Sequence, residues 1–124
     1  MATEENIAGG TLTTLSPQEL SAQLDEDAVV IVDVRTAQEY AFQHIAGALL
    51  LPFAELEARR VPHGDKPVVF YCGSGARSKR AATLCLEAGA GTMRHLGGGF
   101  GAWKEAGLSY RGVDPMTGAP KTVG

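Results

Sequence analysis

Val68-Val69-Phe70-Tyr71-Cys72-Gly73-Ser74-Gly75-Ala76-Arg77-Ser78 joins an apolar run to a cysteine, a small glycine-bearing loop and the opening of a helix-forming segment. The run from Pro67 to Tyr71 reads as a strand buried on both faces, because it is continuously apolar rather than alternating. A cysteine at the carboxyl end of such a strand sits where open α/β sheets place their ligands. Gly73 and Gly75 allow the chain to curl so that successive main-chain N–H groups point inward. A helix opening at Arg77 or Ser78 adds its own unpaired N–H groups and the positive end of its dipole. Such a ring of donors favours an anion at its centre, and the sulfur of Cys72 is the group placed to occupy it. An isolated thiol ionises near pH ~8.5, and a helix N-terminus with nearby cations lowers that value. Cys72 is therefore expected to be largely thiolate at neutral pH. A nucleophile already ionised needs no adjacent base, in keeping with a segment that contains no His or Asp.

Outward from this centre the chain alternates strand-like and helix-like segments, the pattern of an α/β domain with a mostly parallel central sheet and helices on both faces. Leu12–Leu15 is expected as a short edge strand. Ser16-Pro17-Gln18-Glu19 reads as a capping box opening a helix to about Leu24. Ala28–Val34 and Ala48–Leu51 read as buried strands, the second stopped by Pro52. Ala37–Gln43 and Phe53–Arg60 have helical character. Arg77–Ala88 predicts a helix stopped by Gly89, Thr92–Leu96 a strand, and Phe100–Ala106 a short helix. Residues 1–10 are expected to be a flexible start, 11–108 one domain, and 109–124 a Gly- and Pro-rich tail.

Composition narrows the function. At 124 residues the chain suits one domain that buries a core without metal or disulfide staples. A formal charge of −3 argues against nucleic acid as the main partner. His44, His63 and His95 stand singly, and Cys72 and Cys85 are too far apart for a CxxC pair, so no metal is expected. Cys85, flanked by Leu84 and Leu86, is expected in the core rather than as a second reactive thiol. No signal peptide or membrane span is legible, which points to the reducing cytoplasm.

Cys72-x-x-x-x-Arg77-Ser78 after an apolar strand resembles the active-site loop of the rhodanese family of sulfurtransferases. Ile31-Val32-Asp33-Val34-Arg35 is similar to that family's strand ending in Asp-x-Arg. Glu39-Tyr40 with His44-Ile45-Ala46-Gly47-Ala48 is similar to its second motif, and Leu96-Gly97-Gly98-Gly99-Phe100 with Trp103 to its closing segment. The resemblance spans about Leu12 to Leu108. Gln43 departs from it, since the family usually has Gly before the His-Ile pair, which puts a local turn in question.

The resemblance implies a rhodanese-like fold and two half-reactions. Cys72 takes a sulfur from a small anionic donor such as thiosulfate, forming a persulfide held by the N–H groups of Gly73, Ser74, Gly75, Ala76, Arg77 and Ser78. Cyanide or a thiol, including a thiol protein, then removes that sulfur, with no cofactor. Arg77, with Lys79 and Arg80 nearby, either supplies positive potential or turns sideways to pair with an acidic residue, for which Glu39 is the candidate. Asp33 and Arg35 are expected as supports beneath the loop. Cysteine phosphatases are the nearest rival enzymes, but their loops hold five residues between Cys and Arg where this one holds four. One residue is at most ~3.5 Å of contour, a large part of so small a ring. A persulfide carrier serving a partner protein is the remaining alternative.

Overall fold

The computed structural model describes residues 2–124. Six strands form one sheet in the order β1-β2-β6-β5-β3-β4. They are β1 (Thr3–Ile7), β2 (Gly10–Leu15), β3 (Val30–Asp33), β4 (Leu49–Leu50), β5 (Val68–Tyr71) and β6 (Thr92–Leu96). Every pairing is parallel except β1 on β2. Helices α1 (Pro17–Asp25), α2 (Ala37–Phe42), α3 (Ala76–Glu87) and α4 (Gly99–Glu105) lie between strands or follow them. The α/β architecture with a mostly parallel sheet is as the alternation of segments predicts.

Side-chain alternation along the strands divides the core into two layers. Val32, Phe70, Cys72 and Met93 pack with Ala81, Ala82, Cys85 and Leu86 of α3. Ile31, Val69, Tyr71 and Leu96 pack with Leu20 of α1 and Phe100 and Trp103 of α4. Helices thus cover both faces. Because Cys72 continues the parity of Phe70, its sulfur faces the layer that contains α3.

The capping box at the start of α1 is present: Ser16 Oγ accepts from Glu19 N at 3.1 Å, and Glu19 Oε1 accepts from Ser16 N at 2.9 Å. Other expectations need correction. β2 is not an edge strand, because Thr3–Ile7, expected as part of a loose start, pairs along its outer side. Ala48–Leu51 yields only the two-residue strand Leu49–Leu50, paired on one side with β3, and Leu49 is half exposed. An apolar run does not reveal whether it has one neighbour or two. Phe53–Arg60 forms two separate 3₁₀ turns, Phe53–Glu55 and Ala58–Arg60, divided by extended residues. Phe53 and Leu56, three apart, suit the tighter spiral and both pack on the α3 layer. The supposed tail is a hairpin of β7 (Tyr110–Val113) and β8 (Pro120–Val123), whose Arg111 exchanges main-chain hydrogen bonds with His44. No helix among the described residues is long and apolar enough to cross a membrane.

Candidate active site

Cys72 follows the last residue of β5, and α3 begins four residues later with Gly75 as its N-cap. Gly75 has φ 109°, a conformation side chains rarely adopt, and this turn swings the first N–H groups of α3 back toward the sulfur. Gly75 N donates to Cys72 Sγ at 3.1 Å and Ser78 N donates to it at 3.3 Å. The Ser78 hydroxyl oxygen lies 3.6 Å from Sγ. Cys72 is 1% exposed, so burial pushes the thiol up. The donors of Ser78, Gly75 and Ser74 outweigh that burial, and the net effect is a lowered pKa.

The loop is held from below by α4. Phe100 N donates to Cys72 O at 2.7 Å and Gly101 N donates to Gly73 O at 3.0 Å. This approach requires glycine at position 99, where φ is 61° and a Cβ would lie 2.5 Å from Cys72 O. The close approach of Gly99 to the loop was not evident from the sequence alone, although three glycines directly after a strand are a signal of close backbone approach.

Arg77 takes the sideways option. Its Nη1 and Nη2 donate to Glu39 Oε1 and Oε2 at 2.9 and 3.1 Å. This bidentate pair is the leading reason the Glu39 carboxyl is held down to about 2. Thr36 orients Glu39 through a second capping box, with Thr36 N donating to Oε1 at 3.0 Å. That box is written in the sequence as Thr-x-x-Glu at 36–39 and joins α2 to the active loop. Lys79 is occupied by Glu5, 3.3 Å away, while Arg80 has no carboxylate partner among the described residues.

Asp33 and Arg35, expected as supports beneath the loop, lie on the opposite sheet face from Sγ. Both are buried, and Arg35 donates to both Asp33 carboxylate oxygens and to Gln43 O. Its guanidinium lies 4.7 Å from the Phe100 ring centroid and 5.5 Å from that of Tyr71. The Arg35 network thus fixes α4, which clamps the loop. Gln43 is extended, with φ −154°, so its position makes no demand for glycine. Its side chain also accepts from Lys104 Nζ at 3.1 Å, tying α2 to α4.

Cys85 is buried in the α3 layer, where burial raises its pKa. It stands nine residues into α3, ~13 Å along the axis at ~1.5 Å per residue. An open cleft of 720 Å³ at the amino ends of β5 and β6 is lined by Cys85, Val61, Lys66 and Met93, away from the Cys72 loop. The described residues contain no group of three His, Cys, Asp or Glu side chains able to hold a metal.

Residues 16–106, from the cap of α1 to the end of α4, match the model of the Rhodanese-like domain. The chain belongs to the rhodanese-like family. A sulfurtransferase of Allochromatium vinosum is 39% identical over 97 residues, covering 76% of this chain and 90% of that one. The thiosulfate sulfurtransferase GlpE of Coxiella burnetii is 40% identical over 77 residues, covering 61% and 72%. Against a longer uncharacterised Synechocystis relative, slr1261, identity is 39% over 99 residues, and the match covers 79% of this chain but 55% of that one. Among solved structures, the Alr3790 protein of Anabaena superposes with a TM-score of 0.71 at 27% identity, covering 83% of this chain and 86% of that one. The rhodanese-like segment therefore contains Cys72, its donor loop, the α4 clamp and the Arg77–Glu39 brace, whereas β1, β2 and the β7–β8 hairpin lie outside it.

Proposed function

We propose that this rhodanese-like chain is a thiosulfate sulfurtransferase that works through a persulfide on Cys72. The thiolate attacks the outer sulfur of thiosulfate, the S–S bond breaks, and sulfite departs with the electron pair. Cyanide or a thiol then attacks the terminal sulfur of the Cys72 persulfide, and the Cys72 thiolate leaves. The observation that carries this reading is the pair of main-chain donors on Sγ, Gly75 N at 3.1 Å and Ser78 N at 3.3 Å, brought round the sulfur by a loop with only four residues between Cys72 and Arg77. A ring that small suits one sulfur beyond Cys72 better than a tetrahedral phosphoryl group, so phosphate-ester hydrolysis is the lesser alternative. No cofactor enters either step. Nucleic acid and membrane are not partners in this scheme, and the reducing cytoplasm is the compartment in which Cys72 persists as a thiol.

One observation favours a second reading. Glu39 occupies Arg77, and Gly73, Ser74, Gly75 and Ala76 carry no charge. With little free cationic charge at the loop, a persulfide delivered to or taken by a protein thiol competes with free thiosulfate as the exchange served in the cell. Such a carrier uses the same Cys72 persulfide.

Intact-mass spectrometry after thiosulfate treatment tests both. The wild type is expected to gain one sulfur atom that cyanide removes, and Cys72→Ser to gain none. Loading of Cys72→Ser, or phosphate-ester hydrolysis without sulfur gain in the wild type, contradicts the proposal. Sustained turnover with thiosulfate and cyanide identifies the enzyme, whereas a single loading that waits for a protein acceptor identifies the carrier.

A further inference from the structure

His95 lies on β6 with the parity of Met93, and so on the same sheet face as the Cys72 sulfur. It is 4% exposed, and both ring nitrogens are engaged. Nδ1 is 2.9 Å from Ser78 Oγ, and Nε2 is 3.0 Å from Thr14 Oγ1 of β2. Ser78 is fully buried and lies between this ring and the sulfur. Two strands, a helix and the loop after β5 thus contribute one group each to a continuous chain: Thr14, His95, Ser78 and Cys72. The isolated histidines of the sequence include one that is a single side chain removed from the nucleophile.

The chain matters because a hydroxyl has one proton. Ser78 can direct it to Gly75 O at 3.2 Å, to His95 Nδ1, or to Sγ. When Nδ1 carries hydrogen it donates to Ser78 Oγ and stops competing for the serine proton. Sγ, once ionised, is then the stronger of the two remaining acceptors, since Gly75 O already accepts from Lys79 N. A Thr14 hydroxyl donating to Nε2 selects this tautomer. The surroundings keep the ring neutral: burial lowers the His95 pKa, Lys79 adds to the lowering, and Glu5 opposes it. Those two charged groups, from α3 and β1, are themselves paired, and β5 presents Phe70 beside His95. On the sulfur side the nearby charge is Arg77, paired with Glu39.

We propose that His95 is a positioning residue for the sulfur chemistry, holding Ser78 so that its hydroxyl proton is directed at Cys72 Sγ. This rests on the reading of Cys72 as the reactive thiolate. The role is one of orientation, with no proton taken from Cys72 by the imidazole.

The test is the pH profile of iodoacetamide alkylation at Cys72, followed by peptide mass in the full chain, with thermal melts alongside. The wild-type midpoint is expected below that of an ordinary thiol. His95→Leu should raise it by about one pH unit, as for loss of one hydrogen bond to a charged group. Ser78→Ala should do the same, and the double variant should add nothing further. His95→Asn, whose amide N–H can replace the Nδ1 donor, should restore most of the shift. If His95→Leu does not fold, Thr14→Val should still move the midpoint upward, since it frees the tautomer. Variants that melt earlier but leave the midpoint unmoved overturn the role of His95 while leaving Cys72 as nucleophile. An ordinary wild-type midpoint overturns the underlying reading of Cys72 itself.

Discussion

At the scale of single residues, position matters more than identity. Cys72 and Cys85 share a layer and burial, yet only Cys72 meets main-chain donors, and their pKa values move in opposite directions. That distinction was legible in the sequence, because one cysteine ends an apolar strand before a glycine loop and the other sits mid-helix between leucines. His95 was not legible as a neighbour of the site. Its strand was, and counting its parity from Met93 places it facing α3, but which strand lies beside β5 is a matter of topology that local pattern does not encode. Arg77 was readable only as two options, and Glu39 decides between them. Glu39→Gln is expected to lower stability by ~0.5–1 kcal/mol, as for a partly exposed ion pair. It should also lower the KM for thiosulfate by releasing the charge of Arg77 toward the loop. A KM that is unchanged or higher contradicts the view that Glu39 cancels that charge.

At the scale of elements, the active loop is a joint between β5 and α3 that α4 locks from below. Donation from Phe100 N and Gly101 N to the carbonyls of Cys72 and Gly73 fixes where the ring of donors points. Gly99→Ala tests the lock. Its φ of 61° costs a side chain ~1–3 kcal/mol, and the overlap with Cys72 O adds to that. A chain that folds with lower stability and loads sulfur slowly is expected; normal loading kinetics would show that the clamp does not shape the site. The elements that sequence pattern identified best were those with explicit end signals, such as α1 with its capping box and α3 with Gly89 beyond it. β4, the two 3₁₀ turns and the β7–β8 hairpin were misread because their state is set by neighbours. Tyr110 illustrates this: its ring meets Phe100 edge-on at 5.3 Å, a contact between segments that no local periodicity records.

At the scale of the whole molecule, charge pairing and burial make the fold sensitive to acid. The Glu39 carboxyl, ordinarily near 4.5, is held at about 2, so its contribution is full above 4.5 and is lost as pH falls through 2. His95 acts in the same sense. Its pKa is lowered from 6.5 in the fold, so the unfolded chain takes up a proton first, and stability declines as pH drops below 6.5. Thermal melts from pH 7 downward should therefore show a falling midpoint. Glu39→Gln should flatten the part below 4.5, and His95→Asn the part just below 6.5. A midpoint independent of pH across that range contradicts these assignments.

Buried main-chain donors hold the pKa of Cys72 below that of an ordinary thiol. The most direct measurement is the ultraviolet thiolate absorbance of the full chain as a function of pH, wild type minus Cys72→Ser. A difference signal half-developed clearly below the ~8.5 of a free thiol is expected. A half-point at or above that value contradicts it.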